Sequence, residues 1–89
     1  MKRIELDFSK CTDRSEVHAY LKEQFGFPEH YGNNLDALYD CLTEIQEDTR
    51  ICLKHWEAAE SALGRYAHGA RRAILDAAAK NPHLIILFD

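Results

Sequence analysis

The chain has 89 residues, which predicts one domain spanning residues 1–89 with a modest hydrophobic core. It is 46% hydrophobic and 29% charged, a composition typical of a folded globular protein and not of a disordered one. So short a chain leaves little room for both a core and a deep catalytic pocket, which favours a binding module. The net charge of −4 disfavours nucleic-acid binding.

The N-terminal residues alternate polar and apolar side chains and lack the apolar stretch of a signal peptide. The longest apolar run, residues 84–88, is far too short to span a membrane. We therefore expect a cytoplasmic protein that does not bind membranes.

The first elements in chain order are a strand and a helix. Ile4, Leu6 and Phe8 alternate with charged residues, which predicts a strand. Asp13 and Glu16 have the spacing of a capping box, and apolar residues then recur at helical intervals up to a glycine and a proline. A helix is therefore expected between the strand and the loop at residues 26–33.

A second helix is predicted over residues 34–46, capped by Asn33 or Asn34. Its apolar residues lie at i, i+3, i+7 and i+10, which gives a narrow stripe for packing on the core. These residues are Leu35, Leu38, Leu42 and Ile45.

The second half of the chain predicts a strand at residues 50–54, helices at 56–63 and 66–80, and a strand at 84–88. The last strand is a continuous apolar run, as expected for a strand covered by helices. The order β-α-α-β-α-α-β has helical crossovers between strands, which predicts an α/β fold with a three-stranded parallel sheet packed with about four helices.

Acidity is concentrated between residues 29 and 48, a segment with six carboxylates and no Lys or Arg. Asp36, Asp40 and Glu44 lie four residues apart, so on a helix they form one stripe. Like charges at this spacing destabilise a helix by roughly 0.2–0.5 kcal/mol per pair. A merely solvated helix face is the alternative interpretation, but such a face normally mixes charges of both signs. The segment therefore predicts a surface that attracts a basic partner.

Little in the sequence favours chemistry or cofactors. The chain has no phosphate-binding glycine loop and no zinc-ligand spacing, and Cys11, Cys41 and Cys52 are expected to be reduced thiols. Of the histidines, only His30 is singled out by its neighbours; the other four are expected to be ordinary surface or boundary residues. Asp36 and Asp40 admit an alternative function as the carboxylate pair of a small hydrolase, but one helix face gives both the same environment. We predict no catalytic residue, metal or cofactor.

Residues 27–43, FPEHYGNNLDALYDCLT, resemble the signature segment of the barstar family, whose members are intracellular inhibitors of barnase-type secreted ribonucleases. The resemblance implies a three-stranded parallel sheet packed with helices. It also implies that the helix at 34–46 and the preceding loop block the basic active site of the enzyme. Asp40 is similar to the central acidic anchor of the family, and Asp36 is similar to its acidic companion.

Combining the residue pattern with the resemblance predicts a partner-binding surface and a one-to-one complex with a barnase-like ribonuclease, from a protein that is monomeric when free. The predicted contact residues are His30, Tyr31, Gly32, Asn34, Leu35, Asp36, Tyr39, Asp40, Thr43, Glu44, Glu47 and Asp76. His30, Tyr39 and Ile45 depart from the aromatic residues of the family pattern. An immunity or regulatory protein of the same fold, directed at a different toxin, is the alternative that these departures leave open.

Overall fold

The computed structural model describes residues 1–88. Within them the chain forms strands β1 (Lys2–Asp7), β2 (Thr49–Lys54) and β3 (Leu84–Phe88), and helices α1 (Arg14–Phe25), α2 (Leu35–Thr43), α3 (Trp56–Leu63) and α4 (Arg65–Lys80), with a 3-10 turn at Phe8–Lys10. The predicted order β-α-α-β-α-α-β is confirmed.

The three strands form a parallel sheet in the order β1-β2-β3, with Ile4 level with Ile51 and Ile51 level with Ile86. Both crossovers move one strand further in the same direction, and right-handed crossovers then place all their helices on one face of the sheet. The burial pattern agrees, because Ile4 and Leu6 are buried whereas Arg3 and Glu5 between them are exposed. Within residues 1–88, the second face of the sheet carries no helix.

This arrangement corrects the expectation that β3 is covered by helices. Leu84 is buried, but Ile85 and Leu87 point to the helix-free face and are 40% and 42% exposed. The continuous apolar run predicted burial on both faces, whereas β3 is an edge strand with a helix layer on one side only.

The core lies between the sheet and the helices. Leu6, Ile51 and Leu53 of the sheet are completely buried, as are Leu38 and Leu42 of α2. These α2 residues belong to the stripe predicted from helical spacing, which fixes the face that α2 turns inward. The opposite face of the same helix is left to solvent.

The ends of α1 follow their sequence signals with one difference. The Asp13 carboxylate accepts a hydrogen bond from the Glu16 backbone N–H at 2.8 Å, as a helix cap does. The Glu16 carboxylate, however, binds the Thr12 backbone N–H at 3.0 Å rather than that of Asp13, so the capping box is displaced by one residue. Gly26 ends the helix in the left-handed conformation at φ 68°, which glycine adopts without strain.

Helix α2 is shorter than the predicted 34–46 segment. Asn34 is its N-cap and Glu44 its C-cap, so Ile45 lies beyond the helix. The Thr43 hydroxyl donates to the Asp40 carbonyl at 2.9 Å, within the last turn of the helix. The chain then turns to enter β2.

Asn81, just after α4, holds this end of α2 in place. It is buried, and its side-chain amide donates to the carbonyls of Leu42 at 3.0 Å and Ile45 at 2.9 Å. The Leu42 carbonyl also accepts from the Ile45 backbone N–H at 3.4 Å, so Asn81 adds a shorter bond there and supplies a donor to the Ile45 carbonyl just beyond the helix. Asn81 therefore couples the ends of α2 and α4.

We expect Asn81→Ala to lower the free energy of unfolding by about 1–3 kcal/mol, because buried carbonyls lose their donor. Urea denaturation monitored by circular dichroism measures this quantity. Lys80→Ala, which changes the exposed neighbouring residue, is the matched control. Equal stability of the two variants would contradict the role given to Asn81.

Candidate functional site: an acidic surface on helix α2

The candidate site is the solvent face of α2. Asp36, Asp40 and Glu44 are all exposed and follow one another at single-turn intervals, with Glu44 still helical in backbone conformation at φ −89° and ψ −6°. At 1.5 Å rise per residue the three span about 12 Å. We call these three carboxylates the acidic surface.

The carboxylates of the acidic surface are not neutralised within the protein. Of the six acidic residues in segment 29–48, Glu29 lies 3.5 Å from the Lys22 ammonium and Asp48 lies 2.8 Å from the His83 ring. In residues 1–88, no side chain forms an ion pair or hydrogen bond with the carboxylate of Asp36, Asp40, Glu44 or Glu47. The central charges of the segment are thus available to a partner.

The position of these charges on the helix costs stability. Glu44 is the C-cap of α2, and the last turn of the helix contains no basic residue. Negative charge near a helix C-terminus opposes the helix dipole. The nearby Cys41 thiol has a raised pKa, first because it is partly buried and then because Glu44 and Asp40 repel the thiolate. Because its pKa is raised, Cys41 is a poor nucleophile. The same shift reflects the negative charge that Glu44 and Asp40 place on this part of the folded surface.

The loop before α2 is held by Asn34. Its side-chain oxygen accepts from the Ala37 backbone N–H at 2.7 Å, which caps α2, and its amide donates to the Gly32 carbonyl at 3.2 Å. A Cβ atom at Gly32 would lie 3.1 Å from the Asn34 amide nitrogen. The close approach of the loop to its own cap thus explains the glycine. Asn33, the other candidate cap, instead adopts the left-handed conformation at φ 55°.

Tyr31, one of the predicted contact residues, is only 5% exposed. The ring packs on Phe27 with centroids 4.9 Å apart, and the hydroxyl lies 2.7 Å from Nδ1 of His18. The second ring nitrogen of His18 lies against the Tyr66 hydroxyl of α4. Tyr31 therefore anchors the loop from below, and it also lines the depression between the loop and α2, so its contact with a partner stays a prediction.

The buried position of His18 corrects the expectation that it is a surface or boundary residue. It is 1% exposed and joins α1, the loop and α4 through two tyrosine hydroxyls. Burial lowers the pKa of the His18 ring. A neutral imidazole suits this position because one nitrogen donates while the other accepts.

A depression of about 220 Å³ lies between the loop and α2. His30 and Gly32 line one side of it, and Asp40, Cys41 and Glu44 line the other. Two carboxylates at the rim of a depression suit a cationic group such as a guanidinium. The structure thus brings His30 and Gly32 of the loop together with Asp40 and Glu44 of α2.

The remaining predicted contact residues lie around this depression and differ in how exposed they are. Tyr39 and Leu35 are half-buried, and a Cβ atom at Gly69 of α4 would lie 2.9 Å from Leu35 Cδ1, which places the two helices side by side. Asp76 is exposed seven residues after Gly69, hence on nearly the same side of α4. Its carboxylate lies 3.8 Å from the Arg72 guanidinium.

Thr43 is half-buried at the end of α2, and Glu47 is exposed in the connection to β2, outside the helix.

The supporting residues His18 and Asn81 were not found from the sequence. Neither belongs to a recognisable motif, and a single buried polar residue gives no periodic signal. The capping role of Asn34, by contrast, was visible from its place before a helical pattern.

The fold is that of a small α/β protein, and its helix α2 carries the exposed acidic surface. The chain matches the barstar family, described as barstar (barnase inhibitor), over residues 1–87. It is also 36% identical over 78 residues, 86% of each chain, to a protein of Bacillus subtilis (strain 168) named "Putative ribonuclease inhibitor YrdF". The protein belongs to the barstar family. No helix within residues 1–88 combines the length and apolar character needed to cross a membrane.

The buried position of His18 predicts a pH-dependent stability. Because its pKa is lowered on folding, the unfolded chain binds more protons at mildly acidic pH, so stability rises with pH. The contribution is complete above the unfolded value of about 6.5 and is lost as pH falls towards the lowered pKa. Thermal melts of the parent and of His18→Gln between about pH 5 and pH 8 test this, and the variant should show the flatter dependence. The exposed His30→Gln should behave like the parent; an equal pH dependence in the parent and in His18→Gln would contradict the assignment.

Proposed function

We propose that this protein inhibits a barnase-type ribonuclease in the cytoplasm by forming a one-to-one complex, with the acidic surface and the preceding loop in the active site of the enzyme. The observation that carries the proposal is the set of unpaired carboxylates on α2, Asp36, Asp40 and Glu44. Membership of a family described as barnase inhibitors supports the ribonuclease as the partner.

The physical reason is charge complementarity. An enzyme that cleaves RNA needs a basic active site to stabilise phosphate, and carboxylates on a rigid helix can occupy the positions of phosphates. Buried Leu38 and Leu42 fix the inner side of α2, while Asn34 and Asn81 hold its two ends. The carboxylates are therefore presented on a preorganised element, which lowers the entropic cost of association.

The same geometry supports a binding protein over a hydrolase. Asp36 and Asp40 are both exposed on one helix face, whereas acid–base catalysis by two carboxylates needs two different environments. The role in the cell would be self-protection, because a cell that makes a secreted ribonuclease has to block copies active in its own cytosol.

Inhibition assays against a panel of barnase-type ribonucleases, barnase among them, test the proposal directly. We expect inhibition at one-to-one stoichiometry by at least one member, with titration of enzyme activity as the readout. No inhibition of any member would overturn the proposal. In that case, capture of a different basic toxin would identify an immunity protein built on the same fold.

Salt should slow association of the complex. Electrostatic steering depends on unscreened charges, and the Debye length falls from about 10 Å at 0.1 M salt to about 3 Å at 1 M. Stopped-flow measurement of the association and dissociation rates across this range should show the larger change in the association rate. A salt-independent association rate would remove the electrostatic argument even if inhibition survived.

Asp40→Ala should weaken inhibition the most among single changes in the acidic surface. Asp40 lies between Asp36 and Glu44, so its loss leaves cationic groups of the partner buried without a counter-charge. Such a loss costs about 2–5 kcal/mol of binding free energy, a range established in part on the barnase–barstar complex. Folding should be unchanged or slightly improved, because repulsion along α2 is relieved.

The measurements are the inhibition constant and the thermal midpoint of the same variant. Glu23→Ala, which removes an exposed carboxylate from α1, is the matched control and should inhibit like the parent. Normal inhibition by Asp40→Ala, or unfolding of the variant, would show that Asp40 is not an inhibitory contact.

A further inference from the structure

The helix-free face of the sheet has the opposite charge to the acidic surface. Its side chains come from alternate positions of all three strands and are Arg3, Glu5, Asp7, Arg50, Cys52, Lys54, Ile85 and Leu87. Within residues 1–88, three cations and two carboxylates give this face a charge of +1, in a chain whose total is −4. We call it the open sheet face.

Two arginines of the open sheet face stand side by side. Arg3 of β1 is the register partner of Arg50 of β2, and like charges directly opposite on neighbouring strands are destabilising. Of the two carboxylates that residues 1–88 place on this face, Glu5 lies 3.1 Å from the Lys54 ammonium and Asp7 lies 2.9 Å from the His55 ring. Among residues 1–88, no carboxylate forms an ion pair with Arg3 or Arg50.

Arg50 also keeps a buried donor without a partner. Its Nε atom is enclosed by the protein and makes no hydrogen bond within residues 1–88. A buried N–H that has lost its water and gained no acceptor is costly. The register pair thus has no carboxylate partner among residues 1–88, and the buried Nε of Arg50 adds an unpaired donor beside it.

The same arginines line a depression of about 260 Å³. Arg3, Arg50 and Lys54 supply cations to it, while Cys52 and Leu87 supply apolar walls. A guanidinium presents its N–H groups as a planar fork that matches the two oxygens of a carboxylate or phosphate. Apolar surface next to such a fork suits a ligand whose anionic group is attached to an apolar body.

We propose that the open sheet face binds a small molecule that carries an oxyanion, a carboxylate or a phosphate, on an apolar body. The oxyanion accepts hydrogen bonds from Arg3 and Arg50, and the apolar body lies against Leu87 and Ile85. The site lies on the side of the sheet opposite the helices, so it is independent of the proposed inhibitory surface on α2.

Charge complementarity and size select this occupant over macromolecules. Glu5 within the site opposes a long polyanion such as a nucleic acid, and the cationic area is confined to one depression. Docking of the acidic surface of a second copy would be a head-to-tail contact, which builds rings or filaments from many copies. It would also occupy the carboxylates proposed to bind the ribonuclease.

The test is a nuclear magnetic resonance titration that follows the Arg50 side-chain Nε–Hε signal and the Cys52 backbone amide. The probes are phenyl phosphate and hexanoate, compared with inorganic phosphate and acetate at constant ionic strength kept by sodium chloride. We expect saturable shifts, with tighter binding of each apolar probe than of its bare anion. The arm that saturates at lower concentration identifies phosphate or carboxylate as the preferred group.

Arg50→Lys keeps the charge but removes the fork and should weaken the apolar probe by about tenfold, as judged from the Cys52 amide. If Arg50→Lys does not fold, Arg3→Lys is used in its place for the same measurement. Arg65→Lys, on the exposed start of α4, is the matched control and should bind like the parent. Arg50→Lys should still inhibit the ribonuclease normally, which separates this site from the acidic surface.

Three results would overturn the proposal. They are shifts that rise linearly and equally with sodium chloride, equal affinity of apolar probes and bare anions, and unchanged affinity in both Arg50→Lys and Arg3→Lys.

Discussion

The one-sided helix layer is the constraint on which the rest of this structure depends. Both crossovers step in the same direction along the sheet, so right-handedness brings α2 and α4 to the same face. The apolar stripes are then buried in one core, and within residues 1–88 no helix covers the other side of the sheet. Two distinct surfaces result: the outer face of α2, which is acidic, and the open sheet face, on which Arg3 and Arg50 stand side by side.

The acidic surface is a place where stability and the proposed function are in conflict. Repeated carboxylates at helical spacing, the last of them at the negative end of the helix dipole, weaken α2 as an isolated element. Tertiary contacts offset this cost. Leu38 and Leu42 are completely buried, and the Asn81 amide adds hydrogen bonds to the carbonyls of Leu42 and Ile45 at the end of α2. Neighbouring elements thus stabilise α2 from its inner side, and its outer face stays exposed to solvent.

Polar groups inside the protein carry much of the positioning. His18 joins α1, the loop before α2 and α4 through two tyrosine hydroxyls, and Asn34 ties the loop to the start of the helix. Such contacts are directional, so they define the shape of the depression beside Asp40 in a way that apolar packing does not. The loop is therefore fixed before any partner arrives.

The sequence by itself determined what depends on local pattern. Alternation and helical spacing predicted the order of strands and helices, Asp13 and Asn34 marked two helix starts, and the spacing of Asp36, Asp40 and Glu44 predicted one charged face. These features depend on residues a few positions apart, and the segment at residues 27–43 also carried the family resemblance.

Only the tertiary structure decided what depends on residues far apart in the chain. The end of α2 at Thr43 depends on Asn81, and the burial of Tyr31 depends on His18 and on the packing of the loop over the core. The exposure of Ile85 and Leu87 depends on which face of the sheet the helices cover. An apolar strand has the same local pattern whether helices cover one face of the sheet or both. The pattern depends only on the residues of the strand, whereas the cover depends on helices that are distant in the chain.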